Sequence, residues 1–303
     1  MLVDEIKRTF KSGNMLVRLI YINVGVFLAA ILFVMFSKLF ATENNFVIRF
    51  FAANSNLVEL LYKPWTAITY MFLHLGVWHI LMNMIVLYFS GKIFLGYLGE
   101  RKLLSTYLLG GLSGLALYII SYNIFPAFQN MIGTPILGAS ASVMAVFVGI
   151  AAYVPNLPVN LFFFPPVKLK YIAMVYVLLD IIGLSGEIGV PGGNPGGRIA
   201  HLGGALFGYF AMSNLSSGKQ DLNQWFEQLL DWFFSLFKKR KPKMKVHRNP
   251  TAHKKPPRDD YRYNENKVAR QKRVDEILEK ISRSGYDSLT KEEKKILFDA
   301  SNE

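Results

Sequence analysis

Four polar side chains that could take part in catalysis lie inside apolar segments of this chain. His79 and Asn83 lie near the start of one such segment, Ser140 near the start of another, and His201 near the start of a third. Polar groups are costly to keep in lipid, so each is a candidate functional residue by default. A serine together with histidines in this setting predicts a hydrolytic site below a membrane surface.

Ser140 stands where a loop containing glycine and proline, residues 133–139, turns into a predicted helix. The first N–H groups of a helix have no partner within the helix, and they lie at the positive end of its dipole. These groups could stabilise the oxyanion that forms when Ser140 attacks a carbonyl carbon. Such a serine needs a base to take its proton, and His201 is the candidate.

His79 and Asn83 could complete the oxyanion site. They are four residues apart, which places them on one face of a helix. Both side chains can donate a hydrogen bond to a developing negative charge. A single donor of this kind is typically worth about 10²–10³ in rate.

Each of these residues also has an ordinary structural explanation. A single serine in a membrane helix usually bonds the carbonyl group four residues before it, and a single histidine often makes an interhelical hydrogen bond. Gly204 and Gly208 are typical of close helix packing, although that packing would also carry His201 towards Ser140. We expect a structural role for His74, which would join the second apolar segment to the preceding loop. The catalytic interpretation therefore depends on the combination of residues.

The composition indicates a membrane protein. The chain has 303 residues, of which 52% are hydrophobic and 18% are charged, and a soluble domain of this size would carry more charge. It has no cysteine, which excludes disulfides, thiolate metal sites and a cysteine nucleophile. The net charge is +13, and the basic residues cluster towards the two ends. This distribution favours an anionic membrane surface as a partner and disfavours nucleic acid.

Six apolar runs approach or reach the roughly 20 residues that cross a bilayer. They cover residues 17–40, 68–95, 103–124, 136–154, 171–184 and 199–212. The last two are short, which suggests segments that pack inside the bundle or end early. The predicted fold class is therefore all-α, a polytopic bundle of six membrane helices. The loops and termini richest in lysine and arginine alternate along the chain, which predicts that both termini lie in the cytosol.

With this topology, the second, fourth and sixth runs all cross the membrane from outside to inside. At a rise of 1.5 Å per residue, His79, Ser140 and His201 would each lie roughly one or two turns below the outer surface. Three parts of the chain that are far apart in sequence are thus expected to place these residues at the same depth in the membrane.

At these residues the chain resembles the rhomboid family of intramembrane serine proteases. The matching pieces, in family order, are His74-x4-His79-x3-Asn83, Gly138-Ala139-Ser140-Ala141 and Ala200-His201-x2-Gly204-x3-Gly208. The resemblance implies a catalytic dyad of Ser140 and His201. It also implies an oxyanion site formed by the Ser140 N–H group, His79 and Asn83, with Gly138, Ala141 and the two glycines of the last piece in supporting positions. The implied substrates are single-span membrane proteins.

Two positions depart from the family pattern. Ala141 follows the serine where the family usually has glycine, and Trp65-Thr66 stands in place of a Trp-Arg pair in the first outer loop. Asp180, in the fifth run, could complete a Ser-His-Asp triad. However, the predicted direction of that run places Asp180 near its wet outer end, and the resemblance implies a dyad.

The chain is expected to divide into five parts. Residues 1–15 form a cytosolic segment, and residues 16–215 form the membrane domain. Residues 222–245 combine an apolar stripe with basic residues, which predicts an interfacial helix held by anionic lipid, although a helix packed against the bundle fits equally well. Residues 246–272 have the composition of a disordered linker. Residues 273–303 predict a small helical hairpin with a capping box of Thr290 and Glu293, whose partner the sequence does not identify.

The predicted function is that of an intramembrane serine endopeptidase in a bacterial plasma membrane. We expect no cofactor and no metal, because His74, His79 and His201 lack carboxylate or thiolate partners. Two other functions remain open. An inactive rhomboid-like protein that binds or escorts membrane clients would usually lack the serine or the histidine. A transporter that carries protons on its histidines would usually show repeats or membrane acids.

Overall fold

The computed structural model describes residues 5, 8–10, 12–40, 46–160, 165–190, 193–237 and 260–301. The chain divides into two compact units, Met1–Lys238 and Lys239–Glu303. The first unit holds the apolar helices and the candidate catalytic residues.

The first half of this unit is a long helix, a compact connection and a longer, kinked helix. Helix α1 spans Met15–Leu39. The connection contains α2 (Phe46–Phe51), strand β1 (Ala53–Asn54), α3 (Leu57–Tyr62) and α4 (Thr66–Thr69), which runs into a 3₁₀ turn at Tyr70–Phe72. Helix α5 spans Val77–Ile124.

Gly99 divides α5 into two arms. Its φ of 79° and ψ of 177° are not helical, and this positive φ is a conformation that side-chain-bearing residues rarely adopt. At a rise of 1.5 Å per residue, the arm before Gly99 is roughly 33 Å long and the arm after it roughly 38 Å, so each is long enough to cross a bilayer. The two arms correspond to the second and third predicted membrane segments.

The second half of the unit contains three further apolar helices. Helix α6 spans Ser140–Tyr153, α7 spans Leu169–Glu187 and α8 spans Pro195–Ser216. Short antiparallel strands connect the loops: β1 pairs with β2 (Pro135–Ile136), and β3 (Pro158–Val159) pairs with β4 (Val167–Lys168). The predicted all-α membrane bundle is confirmed.

Of the two explanations for the short fifth and sixth runs, an early end is wrong for both helices. Helices α7 and α8 have 19 and 22 residues, whereas α6 has 14. The apolar runs underestimate the lengths of α7 and α8 because both helices include polar or glycine-rich turns. Asn194 caps the polar start of α8 by accepting a hydrogen bond from Gly197 N. The shortest helix, α6, is the most deeply buried of the three.

Small residues bring α6 into close contact with its neighbours. On one side, a Cβ added to Gly114 of α5 would lie 2.6 Å from the Cβ of Ala141. On the other side, a Cβ added to Gly204 or Gly208 of α8 would overlap the carbonyl oxygen of Ala141 or Ala145. Helices in membranes associate through such close packing. The starts of α6 and α8 are therefore held next to each other.

Helix α9, Gln224–Phe237, follows the last apolar helix. Its acidic side contacts the second arm of α5, because Glu227 pairs with Lys102 at 2.8 Å and Asp231 pairs with Arg101 at 3.1 Å. Aromatic side chains on α9 are exposed, including Trp225 and Trp232. The helix thus contacts the bundle through charges and leaves apolar surface uncovered, while the basic stretch after it lies outside the described residues.

The second unit contains α10 (Asp260–Ser284) and α11 (Lys291–Ser301). Residues 260–272 of the expected linker are therefore helical, in keeping with their many Glu, Lys, Arg and Gln residues, and residues 246–259 lie outside the described residues. The predicted capping box is confirmed: Thr290 N donates to Glu293 Oε2 at 2.7 Å, and Glu293 N donates to Thr290 Oγ1 at 3.3 Å. Lys280 also bonds Glu293 and lowers the pKa of this carboxyl to about 2.

Candidate active site

Ser140 is the first residue of α6, and the loop before it is fixed at two points. Gly138 N donates to Tyr70 O at 2.9 Å, and β2 pairs with β1. Gly138 has a φ of +128°, and a Cβ added there would lie 2.7 Å from His79 Cε1 and 3.7 Å from Ser140 Oγ. Glycine is therefore required both by the backbone and by the space, and it allows the His79 ring to lie close to the start of α6.

His74 connects this loop to α5. The buried ring accepts a hydrogen bond from Ala139 N at 3.3 Å through Nε2, and its Nδ1 faces Phe72 O at 3.4 Å. Asn83 Nδ2 lies 3.2 Å from the same His74 Nε2 and donates to His79 O at 3.0 Å. This pattern fits a His74 tautomer with the proton on Nδ1. Both amide hydrogens of Asn83 are then engaged in holding the backbone around His74 and His79.

His201 lies in the second turn of α8 and contacts a carboxylate. Its Nδ1 is 3.1 Å from each carboxylate oxygen of Asp180 on α7. The expectations that Asp180 lies near a wet helix end and that His201 lacks a carboxylate partner are therefore wrong, since Asp180 is only 5% exposed. Helix α7 continues for about two turns beyond Asp180, to Glu187, which places the carboxylate deeper than its position in the apolar run suggests.

A cavity of about 570 Å³ brings the candidate catalytic residues together. Ser140, His79 and His201 all line it, with Gly138 and Ala141 on the same wall. Asn83 and His74 do not line this cavity; they lie behind His79 and the loop. Gly204 and Gly208 do not line the cavity either; they allow α8 to pack closely against α6. The arrangement offers a hydroxyl, two imidazoles and the free N–H groups of a helix start to a bound carbonyl group.

Residues 62–217, about half of the chain, match the family model described as the Rhomboid domain. The chain belongs to the rhomboid family. Residues 259–303 match a second model, described as a family of unknown function, DUF6576.

Two similar proteins carry rhomboid names. The chain is 30% identical over 211 residues to RHOMBOID-like protein 12, mitochondrial, of Arabidopsis thaliana, a match that covers 66% of this chain and 58% of that protein. It is 33% identical over 139 residues to Presenilin-associated rhomboid-like protein A, mitochondrial, of Danio rerio, which covers 45% of this chain and 34% of that protein. The matches therefore span less than two thirds of the length of these relatives.

The two departures from the rhomboid pattern are accommodated by local contacts. The Ala141 methyl group fits because the facing position on α5 is Gly114. In the first loop, Trp65 Nε1 donates to Phe50 O at 2.8 Å, and Thr66 Oγ1 donates to Lys63 O at 2.7 Å. The loop of this rhomboid is thus anchored without the arginine.

Sequence reasoning missed two charged residues of this rhomboid site. They are Glu187, the last residue of α7, and Arg198, in the first turn of α8, which bonds Asp180 at 3.3 Å and Glu187 at 2.7 Å. The spacing carried a signal: Asp180 and Glu187 are seven residues apart, and Arg198 and His201 are three apart, so each pair shares a helix face.

Proposed function

We propose that this rhomboid is an intramembrane serine endopeptidase that cuts the transmembrane segments of single-span membrane proteins. One observation carries the proposal: Ser140, at the start of an apolar helix, lines one cavity together with His201 and His79. A nucleophile, a base and hydrogen-bond donors are the groups that acyl transfer requires.

In the proposed mechanism, Ser140 Oγ attacks the scissile carbonyl carbon and His201 takes the hydroxyl proton. The Ser140 N–H group and the His79 ring stabilise the oxyanion. His201 then gives the proton to the leaving amine, and a water molecule, activated in the same way, hydrolyses the acyl-enzyme. Asn83 supports this site by holding the backbone at His79, because both of its amide hydrogens have partners.

The substrate must expose a peptide bond that a regular helix shields. We therefore expect preferred substrates to carry glycine, proline or other weak helix formers near the cut, since these residues cost about 1–3 kcal/mol in a helix interior. Equal cleavage of a substrate helix with and without such residues would contradict this preference.

The test is the cleavage of a single-span model substrate that is reconstituted with the full chain in liposomes. Ser140→Ala is expected to abolish cleavage, because the nucleophile is lost. Ser142→Ala is the matched control: this buried hydroxyl, two residues further into α6, has no hydrogen-bond partner among the described residues, and its loss should leave the rate within about twofold.

Cleavage that persists in Ser140→Ala would exclude the proposed nucleophile. A folded wild-type chain that binds single-span proteins and cuts none of them would instead indicate a binding function.

His79→Ala is expected to lower the cleavage rate by about 10²–10³, because one oxyanion donor is lost. The loss should appear in kcat and leave KM nearly unchanged. Trp78→Ala is the control on the same turn, since Trp78 is exposed and does not line the cavity. A wild-type rate in folded His79→Ala would remove this residue from the oxyanion site.

We propose a bacterial plasma membrane as the location, although the two relatives are named as mitochondrial proteins. We also propose that both termini lie in the cytosol, an orientation that the distribution of lysine and arginine supports. The chain has no cysteine, so single cysteines report topology directly. Ser12→Cys and Ser284→Cys should react with an impermeant maleimide only after the cells are opened, whereas Asn56→Cys should react in intact cells. The reverse pattern would contradict the orientation.

We also propose that anionic lipid at the cytosolic face binds α9, supported by its exposed aromatic side chains and by the basic residues that follow in the sequence. In a variant with Trp65 and Trp78 changed to Phe, brominated phosphatidylglycerol should quench Trp225 and Trp232 more than brominated phosphatidylcholine does. Equal quenching would contradict a preference for anionic lipid.

A further inference from the structure

The contact between His201 and Asp180 has the features of a functional contact. Asp180 is buried, and both of its oxygens lie 3.1 Å from His201 Nδ1. A carboxylate inside a membrane bundle is expensive to keep and marks a functional position by default. The Nδ1–H group of a neutral imidazole would donate to this carboxylate, which leaves Nε2 as the basic nitrogen.

Arg198 and Glu187 complete a charge cluster around this contact. Arg198 Nη1 is 3.3 Å from Asp180 Oδ1, and its Nη2 is 2.7 Å from Glu187 Oε1. Two carboxylates thus face one guanidinium, and the cluster carries one uncompensated negative charge while His201 is neutral. The charge is balanced only when His201 is protonated, which is the state that forms as Ser140 loses its proton.

We propose that Asp180 is a positioning residue for His201, so that Ser140, His201 and Asp180 act as a triad. The inference rests on the proposed function and deepens it. Asp180 holds His201 in the tautomer with the proton on Nδ1, keeps Nε2 available to Ser140, and stabilises the imidazolium. The proton passes from Ser140 Oγ to His201 Nε2 and on to the leaving group, while Asp180 remains ionised.

Glu187 and Arg198 fix the geometry of Asp180. Glu187 Oε2 accepts a hydrogen bond from Asn194 N at 3.1 Å, and Asn194 caps α8. The end of α7 is thereby joined to the start of the helix that carries His201. The titratable groups that face this site come from four elements of the described chain: Asp180, Tyr176 and Glu187 on α7, Arg198 on α8, His79 on α5, and Tyr70 on the turn before it.

The test measures how fast a fluorophosphonate reacts with the full-length chain in detergent at different pH values. In this reaction Ser140 Oγ attacks phosphorus, fluoride leaves, and His201 accepts the proton, so no protein substrate is needed. Asp180→Asn is expected to lower the second-order labelling rate at pH 7 by up to about 10⁴-fold, the loss that a carboxylate-to-amide change causes in a triad. The pH at half-maximal rate should also move to lower values, because imidazolium formation loses its stabilising charge. Asp180→Glu should recover part of the rate.

Asp221→Asn is the matched control. The substitution makes the same chemical change at another ion pair of the same unit, between Asp221 and Lys102. Asp221 does not line the cavity. Its labelling rate and pH profile should equal those of the wild type. Labelling of Asp180→Asn at the wild-type rate with an unchanged pH profile would overturn the inference, whereas labelling of wild type that does not depend on Ser140 would overturn the proposed function itself.

A second measurement covers the case in which Asp180→Asn does not fold. In the wild-type chain with ¹⁵N-labelled histidine, the spectrum of neutral His201, assigned by the signal lost in His201→Gln, should show the proton on Nδ1. A proton on Nε2 would overturn the inference.

Discussion

His201→Ala is expected to lower the rate of substrate cleavage by about 10⁶, the loss found when the base histidine of a serine protease is removed. Without an imidazole, Ser140 has no group to take its proton, and the leaving amine has no donor. The loss should appear in kcat, because substrate binding does not depend on proton transfer. The rate is measured with the reconstituted single-span substrate.

Leu206→Ala provides the control for this substitution. Leu206 lies on the same helix, is 51% exposed and does not line the cavity, so its truncation should leave the rate close to that of the wild type. A His201→Ala variant that cuts at more than a tenth of the wild-type rate would show that another group acts as the base.

Gly204→Val is expected to reduce both the stability and the activity of the membrane unit. A Cβ at this position would overlap the Ala141 carbonyl oxygen and lie 2.8 Å from the Ala141 carbonyl carbon. Backbone atoms cannot turn away as a side chain can, so α6 and α8 must separate. Such overpacking typically costs about 1–3 kcal/mol. Since Ala141 adjoins Ser140 and Gly204 lies one turn from His201, cleavage should fall by more than about tenfold.

Gly96→Val is the matched control, because a Cβ at Gly96 meets nothing within 4 Å among the described residues. Thermal unfolding in detergent and cleavage in liposomes are measured for both variants. A Gly204→Val protein that unfolds at the wild-type temperature and retains its activity would contradict the close contact between α6 and α8.

The convergence of Ser140, His201 and His79 on one cavity could be predicted from the sequence. The motif spacing placed each residue near the start of a helix, and the alternation of loop charges placed the three helices in one direction. Gly204 and Gly208 supplied the reason for the close approach of α8, and the structure places both glycines against α6.

The contact of Asp180 with His201 could not be predicted in the same way. Hydropathy gives the approximate depth of a residue, but it does not set the rotation of α7 about its own axis, which decides the side that Asp180 faces. Similarly, the partners of Asn83 depend on how the loop at Ala139 folds back onto His74. Both are tertiary contacts, and the spacing of residues along a helix does not determine them.

Covalent labelling identifies the nucleophile directly. The full-length chain in detergent is treated with a fluorophosphonate, digested, and analysed by mass spectrometry. We expect an adduct on Ser140 in the wild type and in Ser142→Ala, and at least about 10⁴-fold slower formation of that adduct in His201→Ala. A folded wild-type chain without an adduct on Ser140, or an adduct that forms equally fast without His201, would contradict the assignment of Ser140 as nucleophile and His201 as base.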